Sequence, residues 1–207
     1  MTPTGPTTPR AGTEAVCITG ARRCWDEYPR QFSHLAQGVV AGVLILLLPS
    51  GLPLMILAGV LLASVLISDA LVGQDLESSR AGRFVGLFIR THEAPGGGAN
   101  YTGLSVLAAL IFFPATTVAV ATIAFGVLDA VSTIAGLRYG RRRLPNGKSI
   151  EGSIVAIAVT VPVLLIFLPA LASLAIASVG ALAELVLPVN DNLVVPFLIA
   201  LVVTAVV

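Results

Sequence analysis

Asp129 stands inside a hydrophobic run, with Ser132, Thr133 and Gly136 at helical spacing on the same face. The run then breaks into Arg138, Arg141, Arg142 and Arg143, a Leu144-Pro145-Asn146-Gly147 turn, and the segment Lys148-Ser149-Ile150-Glu151-Gly152-Ser153, after which a second apolar run begins. Lys148 offers a point charge to an anion, and the N–H groups at a helix start attract phosphate. Gly147 and Gly152 let a backbone come close. Glu151 beside these positive groups suits Mg²⁺, which takes one or two carboxylates together with phosphate oxygens. The chemistry of this stretch is therefore that of a polyphosphate and its metal. It is not a P-loop, because the G-x-x-x-x-G-K-[ST] spacing after a strand is missing.

Other polar residues stand at the ends of apolar runs. An acid within an apolar span is costly and needs a partner, a metal or a proton. Asp129 lies about eight residues inside its run, roughly 12 Å from the end. Glu184 is about one turn from the end of its own run, where loop capping and chemistry are both open. Asp69 is similarly near an end and reads as structural. His34 stands at the start of the first run, the place of a polar anchor. Arg90 and Glu93, three apart on one helical face, read in isolation as a surface ion pair.

The elements that must position these residues are helices in a membrane. Of 207 residues, 56% are hydrophobic and 11% charged, against about 25% charged in a soluble domain. The mean hydropathy is +0.95. The expected fold is all-α, a polytopic membrane protein of about seven transmembrane helices. The runs are Phe32–Pro49, Leu54–Val72, Tyr101–Pro114, Thr116–Leu137, Ile154–Leu168, Ala170–Leu187 and Leu193–Val207. Residues 1–25, rich in Thr, Pro and Gly, are expected to be disordered, and 26–207 to form one integral membrane domain. Residues 84–89 (FVGLFI) suit a short interfacial helix. Cys17 and Cys24, with no second pair, form neither a zinc signature nor a disulfide framework.

Charge placement adds topology. All twelve Lys and Arg fall in the N-terminal tail, residues 73–100 and residues 138–148. With seven spans these lie on one face. By the positive-inside rule that face is cytoplasmic, with the N-terminus inside and the C-terminus outside. Asp129, Glu151, Glu184 and Asp191 are then all expected at this surface.

Three blocks of the sequence resemble the lipid kinases that use CTP as phosphate donor, the dolichol, phytol and diacylglycerol kinases of that type. The first is Glu27-x-x-Arg30-Gln31-x-x-His34-x-x-x-Gly38. The second is Asp129…Gly136-x-x-x-Gly140…Lys148-Ser149-x-Glu151-Gly152-Ser153. The third is Glu184 with Asn190-Asp191-Asn192-x-x-x-Pro196. The chain departs from the pattern at Leu128, where a Gly usually precedes the Asp, at Gln31 for Lys, and at Asn190 for the first Asp. The resemblance implies transfer of phosphate from CTP to a membrane lipid alcohol, such as dolichol or another polyprenol, phytol or geranylgeraniol. The partners implied are nucleotide, lipid alcohol and membrane, with no nucleic acid. It gives Lys148, Ser149, Gly152, Ser153, Arg141 and Arg142 to the phosphates, and Asp129, Glu151 and Asp191 to Mg²⁺. Asp129 or His34 would take the hydroxyl proton, and Glu151 joins them in the catalytic set. Arg30, Arg90, Glu93, Gly136, Gly140, Glu184 and Asn192 would support the site. Two rivals are a CDP-lipid synthase, whose glycine-histidine and aspartate-rich signature is not visible, and a small transporter, which would want polar residues on both faces.

Overall fold

A computed structural model describes residues 20–49, 51–71, 97–144, 147–187 and 190–207. These residues form an all-α bundle of seven helices: α1 (Gly20–Leu47), α2 (Leu52–Leu71), α3 (Gly97–Phe112), α4 (Ala115–Tyr139), α5 (Ile150–Leu164), α6 (Ala170–Val186) and α7 (Asp191–Val206). The helix positions follow the expected apolar runs, with shifted bounds. α1 starts at Gly20, well before Phe32, and takes in the end of the stretch expected to lack order. The favourable helix propensities of Ala21, Arg22, Arg23 and Glu27 outweigh the Thr- and Pro-rich composition upstream. α5 ends at Leu164, soon after Pro162, and residues 165–168 form a turn into Pro169. Residues 84–89, Arg90 and Glu93 lie outside the described residues.

α4 is the axis of the bundle. Every residue from Val118 to Ala130 is buried, so this part of α4 is covered on all sides. Its small residues let neighbours approach closely. A Cβ on Gly38 of α1 would lie 2.8 Å from Gly126 Cα, and one on Gly42 would lie 2.8 Å from the Ala119 carbonyl oxygen. Only glycine permits that backbone-to-backbone contact. α5, α6 and α7 pack around the rest of α4, with Phe125, Leu128, Ile176, Val195 and Ile199 in the core. α3 docks on α7, where Ser105 Oγ accepts a 3.1 Å bond from the Phe197 N–H. That bond falls beside Pro196, which interrupts the helix's own ladder. Phe197 also meets Phe113 edge-on at 5.3 Å.

The two ends of the bundle differ. At one end, Pro114 and Pro169 are the N-caps of α4 and α6, and the Pro49, Pro114 and Pro169 carbonyls accept the first bonds of the helices that follow. At the other end lie His34, Asp129, the α4–α5 connection, the end of α6 and the start of α7. The outside is apolar: Met55, Ile166 and Leu171 are each at least 73% exposed, and α2 shows such side chains on most of its surface. Surfaces of this kind belong against lipid or a partner. Two helical segments, Tyr28–Leu47 and Ala115–Tyr139, are long and apolar enough to cross a membrane. The others are apolar, and α3, α5, α6 and α7, of 15 to 17 residues, reach about 23–26 Å at 1.5 Å per residue.

Candidate functional site

Lys148 is held by a turn and a cap. The Gly147 N–H bonds the Leu144 carbonyl at 2.8 Å, the Leu144 N–H bonds the Lys148 carbonyl at 2.8 Å, and Gly147 takes φ +83°, a conformation that favours glycine. Arg143 pins the turn to α4 by donating to the Gly136 carbonyl at 3.0 Å and to the Gly147 carbonyl at 3.2 Å. Directly after Lys148, Ser149 caps α5, its Oγ accepting from the Gly152 N–H at 3.1 Å. α5 then starts tight against α4. A Cβ on Gly152 would lie 3.0 Å from Gly136 N, and one on Gly140 would lie 2.8 Å from Ser149 Oγ.

The Lys148 side chain runs from this turn into three carboxylates. Nζ lies 2.7 Å from Asp191 Oδ2 and 3.9 Å from Asp129 Oδ1, and it bonds Glu184 Oε1. Burial alone would lower its pKa; Glu184, Asp129 and Asp191 outweigh that and hold the pKa above the usual lysine range. It is the only lysine in the sequence. Ser132 Oγ donates to the same Glu184 oxygen at 2.6 Å. The Asp129, Glu184 and Asp191 carboxylates offer oxygens within 4.8 Å of one another. On the far side of Asp129, His34 Nδ1 lies 3.8 Å from Oδ2. The start of α3 closes the site, since a Cβ on Gly98 would meet Asn192 Nδ2 at 3.1 Å and His34 Nε2 at 3.5 Å.

This geometry brings together His34, Asp129, Lys148, Glu184, Asp191 and Asn192. It places the remaining expected residues elsewhere. Glu151, expected as a metal ligand, has its carboxylate accepting the backbone N–H groups of Arg141 and Arg142 at 3.1 Å, and the acids that lie within reach of one another are Asp129, Glu184 and Asp191. Ser149, Gly152 and Ser153, expected at phosphate, are buried in the cap of α5 and its contact with α4, Ser153 Oγ donating to the Ser149 carbonyl at 3.3 Å. The side chains of Arg141 and Arg142 are exposed. Gly136 and Gly140 serve the α4–α5 contact. Arg30 lies one turn before His34, its carbonyl accepting from Ser33 Oγ. Gly98 escaped the sequence reading, although the Pro95-Gly96-Gly97-Gly98 break just before an apolar run was its signal.

The donor set suits a hard divalent cation such as Mg²⁺, being carboxylate oxygen throughout. Among the described residues, Glu184 Oε2 and Asn192 Oδ1 are buried acceptors without a hydrogen-bond partner, and a buried acceptor of that kind calls for a cation or a donor. No family model, curated protein or solved structure matches the chain.

Proposed function

We propose that this chain is an integral membrane enzyme of seven spans that transfers the terminal phosphoryl group of CTP to a membrane lipid alcohol. Its N-terminus and its active site face the cytosol. One observation carries the reading: α4, the α4–α5 turn, α6 and α7 bring three carboxylates and the only lysine to one point at the charged end of an apolar bundle. Phosphoryl transfer asks for this kind of arrangement, since positioning and charge neutralisation do most of the work. The three sequence blocks that resemble CTP-dependent lipid kinases supply the donor and acceptor classes.

In this reading the lipid hydroxyl attacks the γ-phosphorus, the bond from that phosphorus to the bridging oxygen breaks, and CDP leaves. The hydroxyl proton passes to Asp129 or to His34 beside it. Asp129, Glu184 and Asp191 would hold Mg²⁺, which supplies charge neutralisation at the phosphates. Lys148 would answer phosphate charge directly. Buried Ser132 fixes the Glu184 carboxylate through its hydrogen bond. The apolar tail would stay among the helices, reaching the site sideways from lipid.

The test is purified protein with CTP labelled at the γ or the α phosphate, offered to a panel of lipid alcohols with Mg²⁺ present or chelated. The γ label should reach lipid with CDP released, and only with Mg²⁺. In parallel reactions with phosphatidate as the acceptor, transfer of the α label with release of pyrophosphate would replace this reading by a CDP-lipid synthase. Transfer of neither label to any alcohol would overturn it.

A further inference from the structure

We propose that the Lys148 ammonium and a divalent cation compete for one position, so that the cation binds strongly only after a polyphosphate has drawn the lysine away. The proposal rests on the cation assignment in the preceding reading and not on its acceptor. Nζ lies 2.7 Å from Asp191 Oδ2, bonds Glu184 Oε1 and comes within 3.9 Å of Asp129 Oδ1. It therefore touches or approaches all three carboxylates that would ligate the cation. A magnesium-like ion sits about 2.1 Å from each ligand oxygen. Sharing those carboxylate oxygens with the ammonium would bring two positive centres within a few ångströms of each other, a repulsion that lowers the affinity of the site for the cation.

Two further features make exchange feasible. Lys148 belongs to the turn before the Ser149 cap, not to a helix, so its four-carbon stem can swing without unwinding α5. Its side chain is 24% exposed, leaving a path out toward an arriving anion. The ammonium also leaves part of the site unused: Glu184 Oε2 is buried in a side chain only 2% exposed and has no partner among the described residues. A divalent ion, which takes more ligands than an ammonium, uses such an oxygen. The coupling is then reciprocal, each ligand raising the affinity of the other.

The experiment titrates Mn²⁺ into the full chain in detergent, without nucleotide, for the wild type, Lys148→Gln and Arg138→Gln. Lys148→Gln should tighten Mn²⁺ binding at least about tenfold. Arg138→Gln, which removes a positive charge from the exposed end of α4 without touching the carboxylates, should change it less than about twofold. In the wild type, saturating Mn²⁺ should speed acylation of the single lysine by an amine reagent, since the ammonium is pushed out of the carboxylates; this readout stands even if Lys148→Gln fails to fold. Equal Mn²⁺ affinity in wild type and Lys148→Gln, or a Lys148 acylation rate that Mn²⁺ leaves unchanged, would overturn the competition. A protein that shows the competition and phosphorylates no alcohol keeps this inference and loses the kinase. The opposite pair of results does the reverse.

Discussion

Ser132 Oγ donates a 2.6 Å hydrogen bond to Glu184 Oε1 across the α4–α6 contact, and the same oxygen receives the Lys148 ammonium. Glu184 thus enters the site as a fixed acceptor. Its other oxygen is left over for a further ligand. This pairing ties the end of α6 to the Asp129 turn of α4, and it gives the substitutions below different expected outcomes.

Glu184→Gln and Asp191→Asn each remove one negative charge from the cluster. Either should lower kcat by about 100-fold or more, the scale of losing one preorganised electrostatic partner. Both should also abolish the rise in melting temperature expected for the wild type with Mn²⁺ and CTP together. Steady-state assays and thermal unfolding in detergent check the two halves.

Glu151 acts at one remove, by bracing the chain that carries Lys148. Glu151→Ala should cost about 10–100-fold in kcat and open residues 140–148 to limited proteolysis. Glu151→Gln should recover part of the loss, because an amide oxygen still accepts a backbone N–H. A metal ligand would show neither the proteolysis nor the rescue.

His34 meets the carboxylate cluster only at Asp129, its Nδ1 3.8 Å from Oδ2. His34→Ala should lower kcat by about 10²–10⁴-fold if the imidazole takes the proton. Mn²⁺ affinity should stay within about twofold of wild type, the cluster being intact. Calorimetry beside kinetics separates these.

Lys148 has its pKa raised by the surrounding carboxylates against the opposing effect of burial. A raised pKa means that the contact contributes its full stability below the ordinary value of 10.5 and loses it only as pH climbs through the higher folded value. Acylation needs the free amine, so at pH 9 Lys148 should react at least about tenfold more slowly than an exposed lysine in a peptide. Mass spectrometry of the single lysine-containing peptide reads the rate.

The α1–α4 contact admits no side chain at Gly38, where a Cβ would lie 2.8 Å from Gly126 Cα. Gly38→Leu should destabilise the protein by about 2 kcal/mol or more through overpacking. Gly38 lies one turn from His34, so activity should fall further than stability alone accounts for. Unfolding in detergent and kcat on the surviving folded fraction check this.

The sequence by itself determined the helices and the end of the bundle that gathers the charged side chains. Apolar runs broken by Pro and Gly leave the backbone few alternatives, and Lys and Arg cluster where those runs stop. Asp129 and Lys148 could be picked out because an acid inside an apolar run and a lysine before a helix cap are local facts. What only the tertiary structure decided was which acids meet. Glu151 is three positions from Lys148 in the chain, yet its carboxylate turns back to the amides of Arg141 and Arg142, while Glu184 arrives from another helix. A glycine such as Gly98 reads as a break in sequence and becomes a wall of the site only when α3 docks on α7. Sequence spacing fixes the face of a helix on which a side chain lies, but the neighbour it meets is set by how helices pack, and that depends on small residues spread along the whole chain.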